Sequence, residues 1–151
     1  MKLDLYQLMA LALQEAQQAY NSGEVPVGAV VADTKGRVIA SAYNQPIRLC
    51  DPTGHAEILA LREAGRKRGN YRLPGTLLIV TIEPCAMCMG AAVHARVGWV
   101  VFGAPDPKAG AAQSLYRIGS DGALNHRVEI VPGILEDECR SLIQDFFKKK
   151  R

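Results

Sequence analysis

The sequence predicts an α/β fold, a three-layer α/β/α sandwich over a mixed five-stranded sheet, and three observations carry that expectation. Segments with helical spacing of apolar residues alternate with β-branched runs along most of the chain. The first two runs are separated only by Asp33-Thr34-Lys35-Gly36, a turn that makes them an antiparallel hairpin. A later run, Thr76 to Ile82, passes directly into a helix start, which is where α/β sheets place their sites.

From Leu5 to Tyr20 the residues Leu5, Leu8, Met9, Ala12, Leu13, Ala16 and Ala19 recur at three and four, with Asp4 as N-cap and Gly23 past the end. This predicts an amphipathic helix laid on the sheet. Val25 to Ala32 is almost continuously apolar and reads as a central, buried strand, with Arg37 to Tyr43 as its hairpin partner. Asn44 to Pro52 is a polar loop bounded by proline. A helix follows to about Lys67, with Ile58, Leu59 and Leu61 inward, and Gly69-Asn70 ends it. After the strand at 76–82 come a short helix over Ala86 to Ala95, a fourth strand over Val97 to Phe102, a short fifth over Arg127 to Val131, and a final helix from Leu135 to Lys150. Between Gly103 and Asn125 the chain is rich in Gly, Ala, Pro and Ser without a clear period. A stretch of roughly 20 residues with no element of its own is usually functional, so this one reads as part of a substrate surface.

A chain of 151 residues with 48% hydrophobic content is long enough for one well-buried domain, and residues 1–151 are expected to form it. No stretch approaches the roughly 18 apolar residues of a membrane span, and no basic segment followed by an apolar core opens the chain, so the expectation is a soluble, cytoplasmic protein. The net charge of +3 is weak evidence for a polyanionic partner. Its distribution says more, because the sequence closes on Lys148-Lys149-Lys150-Arg151.

The chemistry is carried by His55-Ala56-Glu57 and Pro84-Cys85-Ala86-Met87-Cys88. With Pro84 opening a helix, Cys85 and Cys88 lie on one face of its first turn, where unpaired N–H groups favour thiolates. His55 follows Asp51-Pro52-Thr53-Gly54, a run with N-cap and N1 character, which puts the imidazole at the start of another helix. One nitrogen and two thiolates make three protein ligands. Structural zinc sites close with four, whereas three leave the last tetrahedral position to water, the catalytic arrangement. The pattern predicts one Zn2+ per chain on His55, Cys85 and Cys88, and Glu57 is the candidate for handling the protons of that water. A Cys-x-x-Cys pair alone would suit a redox couple, but that reading leaves His55, Glu57 and Pro84 unexplained. Cys50 and Cys139 read as reduced thiols, Met87 and Met89 as packing residues, and His94 and His126 are not needed as ligands.

These two motifs together resemble the zinc-dependent nucleoside deaminase superfamily. Glu24-Val25-Pro26-Val27-Gly28-Ala29-Val30, Asn44-Gln45-Pro46-Ile47, Asp51-Pro52-Thr53-Gly54-His55-Ala56-Glu57, Val101-Phe102-Gly103-Ala104 and Asn125-His126-Arg127-Val128-Glu129-Ile130 look like the bacterial tRNA-specific adenosine deaminases, a similarity running from about Met9 to the last helix. The resemblance implies the same fold, a homodimer, and hydrolytic deamination of adenosine to inosine at the wobble position of tRNA anticodons. Zinc lowers the pKa of bound water from about 15.7 toward roughly 7, so hydroxide is available to attack C6 of adenine. Glu57 is then the proton shuttle, serving ring N1 and the departing amine. Residues two apart on an ideal helix point to different sides, so this role requires Glu57 to bend over the helix end; the family pattern assigns it, the spacing does not.

The same resemblance puts Asn44, whose amide can both donate to and accept from a purine edge, in the base pocket, with Val27, Asp106 and Lys108 as further substrate contacts. Pro105 departs from the pattern, standing where a basic residue is expected. Glu83 reads as a structural hydrogen-bonding partner at a helix start. Phe146 reads as core, while Phe147 with residues 148–151 offers a stacking face and phosphate contacts to single-stranded RNA. Two other functions stand beside this one. A small-molecule guanine or cytosine-nucleoside deaminase shares the metal motif but has no use for a basic C-terminal helix. A catalytically silent fold that only binds RNA leaves Glu57 and the open metal position without purpose.

Overall fold

Asp4 stands in extended backbone and its carboxylate accepts the Gln7 N–H, so the expected N-cap starts helix α1, Leu5–Asn21. The computed structural model describes residues 3–150, and Arg151 of the basic tail lies outside the described residues. Leu8, Met9, Ala12, Ala16 and Ala19 are buried along α1, the face that the spacing predicts. The hairpin is formed by β1, Gly28–Asp33, and β2, Val38–Tyr43. β1 begins three residues later than the apolar run. Pro26 has no N–H for a ladder, and the Val27 N–H closes back on the Val25 carbonyl.

The stretch read as a plain loop contains a one-turn helix, α2, Pro46–Leu49. Proline suits its first position, and the buried carboxylate of Glu24 accepts the Ile47 and Arg48 N–H groups at 3.2 and 2.8 Å. The remaining elements are α3, Ala56–Arg68; β3, Thr76–Ile82; α4, Ala86–His94; β4, Trp99–Ala104; β5, Glu129–Val131; and α5, Glu136–Lys149. β4 starts two residues later than expected because Arg96 turns left-handed, at φ 61°, and the Val97 N–H still returns to the Ala92 carbonyl.

The sheet order is β2-β1-β3-β4-β5, with β1 antiparallel to both neighbours and β3, β4 and β5 parallel. The mixed five-stranded sheet is as expected, but β3 holds the centre and β1 lies one strand in from the edge. Alternation along the strands divides the core in two. Ala29, Val31, Leu78, Val80, Val100 and Phe102 pack against α3 and α4, and Val30, Ala32, Leu77, Ile79 and Val101 pack against α1 and Cys139 of α5. Helices therefore cover both faces. Each fully buried large aliphatic side chain contributes about 1.5–3 kcal/mol to this packing.

Pairing of Ala29 with Val80 and of Ile82 with Ala104 puts the start of β1 and the ends of β3 and β4 at one edge of the sheet. The donor atoms of His55, Cys85 and Cys88 gather beyond that edge.

Candidate active site

Cys85 has extended backbone, at φ −77° and ψ 177°, and is itself the N-cap of α4, so Pro84 precedes the helix and does not open it. Cys88 then falls in the first turn, fully buried. His55 is likewise the N-cap of α3, at φ −72° and ψ 149°. The run before it makes a turn of its own, with the Asp51 carboxylate accepting the Thr53 N–H and hydroxyl at 2.8 and 2.7 Å. Both corrections have the same physical content: His55 and Cys85 leave from extended backbone just ahead of two helices whose N-termini meet at the sheet edge.

His55 Nδ1 lies 3.6 Å from Cys85 Sγ and 3.5 Å from Cys88 Sγ. A tetrahedral zinc ion, with about 2.05 Å to nitrogen and about 2.3 Å to sulfur, holds such donors roughly 3.5 Å apart, so the set fits the ion. Among the described residues this is the one group of three or more His, Cys, Asp or Glu whose donor atoms gather in this way. The Cys88 thiol donates to Cys85, which holds the Cys85 thiol down at about 4 against its burial, with His55 adding to the effect. Cys88 is pushed the other way, keeping its proton for Cys85 and shut off from water. The hydrogen bond with Cys85 also raises His55. A cation taking this set displaces the shared proton, so metal binding releases acid.

Glu57 lies in the first turn of α3 and is 4% exposed. Burial pushes its carboxyl above the ordinary value, and its partner across the site is the Cys88 thiol. The expected bend over the helix end is not needed. His55 is not on the helix, so the two-residue spacing is not measured around a helical turn.

The Asn44 N–H donates to the Val27 carbonyl at 3.0 Å, and the next residue, Gln45, donates to Gly54 immediately before His55. Val27 and Asn44 are thereby brought together, with Asn44 buried and tethered to the metal-bearing turn. Asp106 and Lys108 follow β4, and Asp106 Oδ1 accepts the Lys108 and Ala109 N–H groups, so its side chain shapes the loop that carries it. Phe147 is 47% exposed in the last turn of α5, in the layer opposite α3 and α4. Its end of α5 is fixed beside the end of α1 by the Tyr20 hydroxyl on Asp145 at 2.6 Å, and α1 leads into β1 at the metal edge. Lys149 sits over Tyr20 and Lys150 over Phe146, which is buried as expected.

Glu83 was legible as structural, but its partners are not those expected. None lies in α4; the carboxylate accepts from residues 106–114 of the following loop. Burial opposes its charge, and the Ser114 hydroxyl with the Gln113, Asp106 and Ser114 N–H groups outweighs it, holding the carboxyl below the ordinary value. Glu24 was named only within a family-like motif, and its role in securing α2 escaped the sequence reading; an acid between a helix end and an apolar run is the signal for it. Cys50 is exposed in left-handed backbone, Cys139 is buried, and the His126 ring contacts the Val97 carbonyl at 2.7 Å.

Residues 3–104 match the model of the cytidine and deoxycytidylate deaminase zinc-binding region. This chain belongs to that family. The tRNA-specific adenosine deaminase of Haemophilus influenzae is 44% identical over 144 residues, 95% of this chain and 83% of that protein, and that of Bacillus subtilis is 43% identical, over 95% and 88%. A solved structure from a study of A-to-I editing by tRNA:A34 deaminases at the wobble position superposes with a TM-score of 0.86 at 43% identity, covering 90% of this chain and 98% of that one. The guanine deaminase of Nitrosomonas europaea, at 22% identity and a TM-score of 0.84 over 95% and 85%, shares the fold. As a member of the family the chain is a hydrolytic deaminase with zinc as its cofactor, and His55, Cys85 and Cys88 stand where they can ligate it. Among the described residues no helix is long and apolar enough to cross a membrane.

Proposed function

We propose that this deaminase converts adenosine to inosine at the wobble position of tRNA anticodons. The observation that carries the reading is the near full-length identity of 44% to a tRNA-specific adenosine deaminase in a chain whose three metal donors and buried carboxylate converge. Bound by His55, Cys85 and Cys88, zinc would supply an acidified water and hence a nucleophile at neutral pH. The protein supplies the rest. Glu57, whose carboxyl is raised by burial and which lies beside Cys88, would take the two protons of that water in turn, passing one to N1 of the ring and the other to the departing amine. Burial of Glu57 excludes bulk water from this exchange. The Asn44 amide, with Val27 beside it, orients the base edge; Asp106, Lys108, Phe147 and the basic helix end meet the flanking nucleotides. An anticodon loop suits such a site because its bases are already partly unstacked.

The enzyme acts as a homodimer in the cytoplasm, where tRNA is used. A cleft of about 670 Å3 between α3 and α4 supports the dimer: Ile58, Leu61, Ala91 and Ala95 line it, together with Gly69, Asn70 and Tyr71 at the far end of α3 from the metal donors. Incubation with total tRNA, followed by nucleoside analysis for inosine beside parallel reactions on free adenosine, cytidine and guanine, tests the substrate. Faster turnover of a free base or nucleoside than of tRNA would replace this reading with the small-molecule one.

A further inference from the structure

β3 and β4 run parallel and end side by side, with Ile82 paired to Ala104 and the Glu83 N–H on the Ala104 carbonyl at 2.9 Å. From that point the Glu83 side chain crosses to the loop after β4. Its Oε1 accepts the Asp106 N–H at 3.0 Å and the Ser114 hydroxyl, and its Oε2 accepts the N–H groups of Ala112, Gln113 and Ser114 at 3.1, 2.9 and 2.9 Å. The Ala111 N–H adds a bond to the Pro84 carbonyl at 2.8 Å. Two consecutive residues thus hold both ends of the segment 106–114, and the next residue is Cys85. Gly110 completes the fit, because a Cβ there would collide with the Glu83 carboxyl and the Asp106 carbonyl. A carboxylate only 3% exposed and facing five donors is far more than a helix start needs.

We propose that Glu83 is a positioning residue that locks the loop bearing Asp106 and Lys108 to the metal-bearing turn, so that the surface gripping the substrate and the centre transforming it move as one body. The proposal rests on the substrate reading above only for its kinetic arm. Glu83→Gln keeps the volume but turns an amide donor against N–H donors, so it releases one side of the clamp; Ser114→Ala removes a single bond. Zinc-loaded wild type and both variants are compared by metal analysis, by amide hydrogen exchange at 112–114 without RNA, and by steady-state kinetics on an anticodon stem-loop. Both variants should keep about one zinc per chain. In Glu83→Gln the three amides should exchange at least about tenfold faster and KM should rise about tenfold, the size of one charge-assisted hydrogen bond, with kcat within about threefold of wild type. Ser114→Ala should move the same way by less, and it carries the test if Glu83→Gln does not fold. Wild-type exchange in both variants would overturn the clamp, and so would a fall in kcat with KM held, which would make Glu83 a proton-transfer group. If wild type leaves the stem-loop unchanged, the substrate reading fails, and the exchange measurement alone upholds or overturns the clamp.

Discussion

On the proposed reading Cys88 and Glu57 are neighbours with opposite tasks, one losing its proton when the metal binds and the other exchanging protons in a dry site. Their substitutions should therefore separate. Cys85→Ala or Cys88→Ala should lose metal and activity together, whereas Glu57→Ala should retain about one zinc per chain and lose at least about 10²–10⁴-fold in turnover. Metal analysis beside turnover checks this; full zinc in both cysteine variants, or more than about a tenth of wild-type rate in Glu57→Ala, would sink the assignment. The two remaining thiols differ by environment. Burial pushes Cys139 up to about 12, while Cys50 is exposed. In zinc-loaded protein near pH 8, an alkylating reagent read by mass spectrometry should label Cys50 and spare Cys139 until the chain unfolds. The sign of the linked stability follows. Between the ordinary thiol value of 9 and about 12 the unfolded chain holds fewer protons, so stability falls as pH rises through that window, and Cys139→Ala should remove this part of the slope.

At the scale of elements, α1 and β1 approach so closely that only glycine fits at position 28. A Cβ on Gly28 would collide with the Ala12 carbonyl and the Ala16 nitrogen, both backbone atoms that cannot rotate away. Gly28→Ala should cost about 3 kcal/mol or more by overpacking, lowering Tm by roughly 6–12 °C. A thermal melt within about 2 °C of wild type would mean that α1 shifts freely on the sheet. The helices themselves were readable because their apolar residues repeat with the helical period; α2 was not, since four residues carry no period and their helical turn depends on Glu24, 22 positions before its first residue.

At the scale of the molecule, the basic end of α5 lies beside the end of α1, in the layer opposite α3 and α4. Removing residues 148–151 should weaken tRNA binding and flatten the slope of log affinity against log salt by about 0.7 for each phosphate no longer neutralised, leaving single-turnover deamination at saturating RNA close to wild type. It also deletes the Lys149–Tyr20 and Lys150–Phe146 cation–π pairs, each worth about 0.5–1 kcal/mol at an exposed site, so a small fall in Tm should accompany it. Unchanged affinity and salt dependence would reduce the segment to a solvated helix end.

His55, Cys85 and Cys88 were legible as a ligand set because metal coordination demands particular atoms at particular spacings, and the alternation of helix and strand was legible because burial on one face imposes a period. Glu57 was singled out through family likeness, since its place beside the donors depends on a cap geometry that two-residue spacing does not encode. The strand order, with β3 and not β1 at the centre, was decided by tertiary pairing, because an apolar β-branched run shows that a strand is buried and not which neighbours bury it. Glu83 was settled the same way: its charge is local, but the five donors that give it meaning are 23 to 31 residues away and face it only once β3 and β4 end side by side.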